Sequence, residues 1–151
     1  RRRSIIFPRN RVRHAGLLRQ HGCLGYRAAR PAVSRLASLA SEFDLFTASD
    51  RDEGGDAVPA GVFINWLSGG RRLVPRAVTR WRARRILDHA ARTGGVAHFW
   101  THPENIATSP ETLKNFNNVI DEVARAADRG DVRPMTQVEF LLSRENACDA
   151  M

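Results

Sequence analysis

The chain has 151 residues, with 24 Lys and Arg against 16 Asp and Glu, giving a formal charge of +8. That length allows one ordinary domain with its own core and excludes a large multidomain assembly. An apolar content of 42% excludes a disordered chain, no apolar run approaches the roughly 20 residues of a membrane span, and two cysteines, Cys23 and Cys148, are too few for a disulfide scaffold.

Ser4-Ile5-Ile6-Phe7 is a short apolar run closed by Pro8 and predicts a strand. Residues 11–21 read as a helix, with Ala15, Leu17 and Leu18 on its apolar side and Gly22 where a left-handed C-cap belongs. Residues 24–27 form a second short strand, and Pro31 opens a helix whose Val33, Leu36, Ala40 and Phe43 share one face. Residues 47–61 are acidic, glycine-containing and aperiodic, so they read as a loop. A brief apolar run at 62–67 ends in Ser68-Gly69-Gly70. Residues 74–92 read as a helix with Pro75 in its first turn and Gly94 past its end; Val74, Val78 and Trp81 align, while Ile86 and Leu87 drift off that stripe.

Residues 96–100 read as a strand bounded by Gly94-Gly95 and Pro103. Residues 110–129 are the clearest helix, with Ser109 as N-cap, Pro110 at N1 and Glu111 in the first turn. Its stripe is Leu113, Phe116, Ile120, Val123 and Ala127, and Gly130 stops it. Residues 132–135 read as a short strand, and Thr136-Gln137-Val138-Glu139 as a capping box opening a last helix to about Arg144. Strands alternating with helices imply an α/β fold with a mostly parallel sheet and helices packed outside. Arg1-Arg2-Arg3 runs straight into the first strand without a signal-peptide core. A parallel α/β fold seldom starts on so bare a strand, so the chain reads as part of a larger domain.

Of the basic residues only Lys114 is lysine; the rest are arginine, which grips phosphate and carboxylate with a planar fork. The charge comes in blocks. Residues 1–35 hold ten arginines and no acid, 36–70 six acids and one arginine, 71–92 eight arginines and one acid, and 93–151 nine acids and five bases. Alternating blocks can pair across a folded surface, so nucleic acid is not the expected partner. A basic nucleic-acid-binding α/β module stands as the alternative reading.

The stretch from Val96 to Asn105 carries the most chemistry. A parallel strand ends there in polar groups, and such ends are where α/β folds bind ligands. Pro103 holds His102 extended, and histidine can donate or accept a proton near neutrality. His98 and His102 lie four apart, but on a strand that spans about 13 Å, too far for one zinc ion. His98 therefore reads as a packed histidine, Cys23 as a small buried residue, and Arg129-Gly130-Asp131 as a helix end.

Three pieces occur in order: Ser4-Ile5-Ile6-Phe7-Pro8-Arg9-Asn10-Arg11; Leu17-Leu18-Arg19-Gln20-His21-Gly22 leading to Gly25-Tyr26-Arg27; and Phe99-Trp100-Thr101-His102-Pro103-Glu104-Asn105. Together they resemble the C-terminal half of a polysaccharide deacetylase domain, the carbohydrate esterase type related to chitooligosaccharide deacetylases, over most of the chain. The resemblance implies a partial, distorted (β/α) barrel, residues 1–151 being the C-terminal part of one domain whose N-terminal, metal-binding part is absent. It implies a hydrolase that removes acetyl groups from N-acetylated sugars of a polysaccharide, with a divalent metal, usually zinc, in the full-length protein and none held tightly by this chain. His102 falls on the family's late histidine, the general acid for the leaving amine. Arg9, with Pro8 and Asn10, falls on the arginine–proline motif lining the active site, though the order Phe-Pro-Arg-Asn departs from the common one. Arg27, Trp100 and Asn105 are then substrate contacts. The expected partner is an acetylated polysaccharide or oligosaccharide, and the expected setting a bacterial cytoplasm or cell envelope. A carbohydrate-binding relative without catalysis is the further alternative.

Overall fold

Proline and glycine stand at several element boundaries of this chain: Gly94 after one helix, and Pro103 and Pro110 in the first turns of two others. The computed structural model describes residues 3–5, 15–28 and 56–149. In chain order the described elements are β1 (Arg3–Ile5), two 3-10 turns (Ala15–Leu17 and Arg19–His21), β2 (Cys23–Arg27), β3 (Ala57–Val58), β4 (Val62–Phe63), a 3-10 turn (Gly69–Leu73), α1 (Arg76–Thr93), β5 (Phe99–Trp100), α2 (Pro103–Ala107), α3 (Pro110–Asp128) and α4 (Gln137–Asp149). The fold is mixed α/β with short parallel strands, and no closed barrel forms among the described residues. Two compact units divide these elements: β1, β2, β3 and α4 belong to one, and β4, α1, β5, α2 and α3 to the other.

The first unit is a three-stranded parallel sheet in the order β1-β2-β3. Tyr26 pairs with Ile5 on one side and Ala57 on the other. Gly25 is required by close approach: a Cβ there would sit 2.1 Å from the Asp56 carbonyl oxygen and 2.8 Å from Leu141 Cδ2. Leu141, on α4, is buried against this strand. Arg144, also on α4, donates to the Ala57 carbonyl at 3.0 Å. The capping box at the start of α4 forms in both directions: the Thr136 N–H donates to Glu139 Oε2 at 2.6 Å and the Glu139 N–H to Thr136 Oγ1 at 3.2 Å.

In the second unit β4 and β5 pair in parallel, Val62 with Phe99 and Phe63 with Trp100, and α1 crosses from one to the other as a βαβ unit. Gly61 has φ +75, and a Cβ there would meet the His98 ring at 2.7 Å, so this glycine admits the imidazole against the backbone. Ile64, Ala83 and Val119 form the core, with Phe99 and Phe116 packed on it. Helix α1 is continuous and ends at Gly94, whose backbone is left-handed.

Several expectations are corrected. The described part of the 11–21 helix is two 3-10 turns, although Gly22 does take a positive φ of 75. Residues 57 and 58, read as loop, form β3, a pairing too short to leave a period of its own. The 96–100 strand narrows to Phe99–Trp100. Residues 132–135 form no strand: Pro134 offers no N–H, and Arg133, Pro134 and Met135 face solvent. Helix α4 runs on to Asp149. Cys23 is only half-buried. On α1 the buried face is Thr79, Arg82, Ala83, Ile86, Leu87 and Ala90, while Trp81 is exposed. On α3 it is Thr112, Asn115, Val119, Glu122 and Ala126, while Leu113 and Ile120 remain exposed. The helix opened by Pro31 lies outside the described residues.

Candidate active site at the carboxyl ends of β4 and β5

Because β4 and β5 are parallel, the segments that follow them leave the sheet on the same side. After β5 the chain turns at His102, which is the N-cap of α2 with an extended backbone (φ −92, ψ 134) and Pro103 at N1. Its ring is exposed. It stands edge-on to Trp100 at 5.3 Å between centroids, and Trp100 lies 4.8 Å from Phe63 on the neighbouring strand. The Arg71 guanidinium carbon lies 5.8 Å from the Phe63 ring centroid. Three rings and one cation therefore form a cluster at the strand ends, with the imidazole at its solvent edge.

Asn65 supports this cluster from beneath and is fully buried. Its Oδ1 accepts from Arg71 Nη1 at 3.2 Å, and its Nδ2 donates to the Arg71 carbonyl at 3.3 Å. Its own carbonyl accepts from Asn115 Nδ2 at 3.1 Å, and the Leu67 N–H donates to Thr112 Oγ1 at 3.1 Å. The loop after β4 is thus tied to the first turns of α3 by side chains that sequence periodicity assigns to no function. The signal that could have found Asn65 is a lone amide inside the apolar run Val62–Leu67.

A groove of about 620 Å³ opens beside this loop, lined among others by Trp66, Ser68, Arg72, Arg76, Ser109 and Glu111. Trp66 is 37% exposed. Arg72 Nε donates to the Leu67 carbonyl at 3.4 Å. Glu111 pairs with Arg76 at 3.0 Å and Lys114 at 2.8 Å, and the Lys114 hydrogen bond holds its carboxyl below the usual range. Neither His102 nor Trp100 lines this groove. Nothing in the sequence marked it, because its two walls are about forty residues apart.

Part of the basic block at 71–92 is paired inside this unit. Arg80 and Arg84 reach Glu122 on α3 at 2.5 and 2.6 Å, and Arg125 joins them at 2.5 Å. Burial alone would raise the Glu122 pKa; hydrogen bonds from Arg84, Arg80 and Arg125 outweigh it and bring the value down to about 2. Arg129 pairs with Asp131 at 2.6 Å.

Among the remaining sequence candidates, Asn105 is buried in α2, its N–H bonded to the His102 carbonyl at 3.0 Å. Arg27 is buried on β2 in the first unit, where desolvation lowers its pKa. Pro8, Arg9 and Asn10 lie outside the described residues. The structure thus brings together Trp100 and His102, with Asn105 in the helix that His102 starts. Among the described residues, no group of three or more His, Cys, Asp and Glu side chains is placed to hold a metal ion, and no helix is long and apolar enough to cross a membrane. His98 gives its carbonyl to the Val62 N–H at 2.7 Å and packs on Gly61, a structural position. No family model matches the chain, and neither a curated protein nor a solved structure matches it.

Proposed function

We propose that this chain is the C-terminal part of a polysaccharide deacetylase-like hydrolase, a partial (β/α) barrel in which His102 delivers the proton to the leaving amine. The observation that carries the reading is the exposed imidazole of His102, set against Trp100 where β5 ends and α2 begins. In amide hydrolysis, the water gives up a proton to a general base as its oxygen bonds to the acetyl carbon. The C–N bond then breaks, and the sugar nitrogen takes a proton from the His102 imidazolium. Acetate and a free amine result. Trp100 packs edge-on against the ring, and Pro103 restricts the backbone that carries it. The divalent metal implied for the family would activate the water. In this reading its ligands belong to a part of the domain that this chain does not contain, and the chain's own share is substrate contact and proton delivery.

The test is acetate release from N-acetylated chitooligosaccharides by the full-length gene product. His102→Gln should lower kcat by about 10²–10⁴-fold with little change in KM. Unchanged turnover in His102→Gln would overturn the role of His102. Tight sugar binding with no acetate release by the wild type would favour the non-catalytic relative.

A further inference from the structure

We infer that the groove between residues 66–76 and 108–111 binds a pyranose bearing an anionic group, with the sugar ring on Trp66 and the anion on Arg72. The choice of a sugar rests on the deacetylase reading above; the choice of an anion rests on the groove itself. Its volume of about 620 Å³ falls in the range of small-ligand sites. Trp66 is 37% exposed and lines the groove. A pyranose presents C–H bonds of partial positive charge, and the face of an indole is the negative pole of its quadrupole.

The charge balance selects the ligand further. Arg72 directs Nε to the Leu67 carbonyl at 3.4 Å, which leaves the other edge of the guanidinium to a ligand. Its two terminal nitrogens have no partner among the described residues. A carboxylate or phosphate accepts from such a pair in parallel. The single carboxylate in the lining, Glu111, is already shared by Arg76 and Lys114, so it does not cancel Arg72. The first residues of α1 and α3 also line the groove and add partial positive charge. Trp66 is the one aromatic residue in that lining, whereas single-stranded nucleic acid is gripped by aromatic platforms in series.

The experiment is calorimetric titration of the full-length protein with three probes: an oligogalacturonate, a hexose phosphate, and a neutral chitooligosaccharide of matched length. A single-stranded oligonucleotide serves as competitor. Binding of the uronate or the phosphate, weakened about tenfold or more by Arg72→Gln and by Trp66→Ala, supports the site, and the stronger of the two identifies the anion. Equal binding of the neutral sugar with no effect of Arg72→Gln overturns it, as does preferential binding of the oligonucleotide in the groove. Both side chains are exposed, so the variants should fold; matched thermal unfolding checks this. Acetate release is measured in parallel on neutral substrate. Its absence alongside groove binding sinks the deacetylase reading only, and its presence without groove binding sinks this inference only.

Discussion

Glu122 is the most exacting test of the second unit, because its charge is predicted to be worth stability that a neutral residue of the same shape cannot supply. Its side chain is 4% exposed, and three guanidiniums reach it. The carboxyl falls from 4.5 to about 2, with burial opposing and hydrogen bonds from Arg84, Arg80 and Arg125 driving the shift. At 1.36 kcal/mol per unit the shift is an upper limit of about 3 kcal/mol. The arginine side chains are 41%, 53% and 45% exposed, so solvent screening brings the figure to about 1–2 kcal/mol. Because the folded pKa is depressed, the contribution is complete above the unfolded value near 4.5 and is lost as pH falls toward 2. Urea unfolding of the wild type and Glu122→Gln should therefore differ by about 1–2 kcal/mol at pH 7 and converge as the pH drops from 5 to about 2.5. A difference that stays constant across that window would refute the electrostatic account and leave only a packing role.

Other sites give sharper single outcomes. Gly25→Ala should destabilise the chain by more than about 2 kcal/mol, since its Cβ would strike the Asp56 carbonyl and force β2 and β3 apart; urea denaturation reads this directly. Thr136→Ala removes half of a reciprocal cap and should cost about 1 kcal/mol, with loss of protection in the first amides of α4 by hydrogen exchange. Asn65→Leu removes both side-chain hydrogen bonds to Arg71 and should cost about 1–3 kcal/mol by thermal unfolding.

Local chemistry was legible in the sequence; distant polar pairing was not. The Ser109 cap, the Thr136–Glu139 box and the left-handed glycines at 22 and 94 each depend on residues within four positions, so the chain states them outright. The buried face of α3 was misplaced by about one residue, or 100° around the helix. Leu113 and Ile120 carry the hydrophobic signal, yet Thr112, Asn115 and Glu122 are the side chains that go inside. The Leu67 N–H, the Asn65 carbonyl and the Arg80 and Arg84 guanidiniums meet them and offset most of the burial cost, while Asn115 Oδ1 has no partner among the described residues. Those partners lie about 40–50 positions away, where no periodicity reaches. The same holds for β3, whose two residues become a strand because the Tyr26 N–H finds the Asp56 carbonyl and the Ala28 N–H finds the Val58 carbonyl. For the site, the motif around His102 was readable as a strand end, whereas the Trp66–Arg72 wall has no local signature.

The loop after β4 links these two features physically. Asn65 and Arg71 belong to the cluster that holds Phe63, Trp100 and His102, while their immediate neighbours Trp66 and Arg72 turn into the groove. Two side chains of α3, Thr112 and Asn115, fix the backbone on which both pairs sit. Side chains that must hold a charge or a ring in a set direction gain from such fixed backbone, because less conformational entropy is lost when a ligand arrives. A buried, hydrogen-bonded amide is a costly way to build a hydrophobic core but an efficient way to fix a loop. Polar side chains on the inner face of α3 therefore follow from what that face supports. They hold the loop at the strand ends where His102 and the groove lie, and an all-apolar face would pack without fixing it.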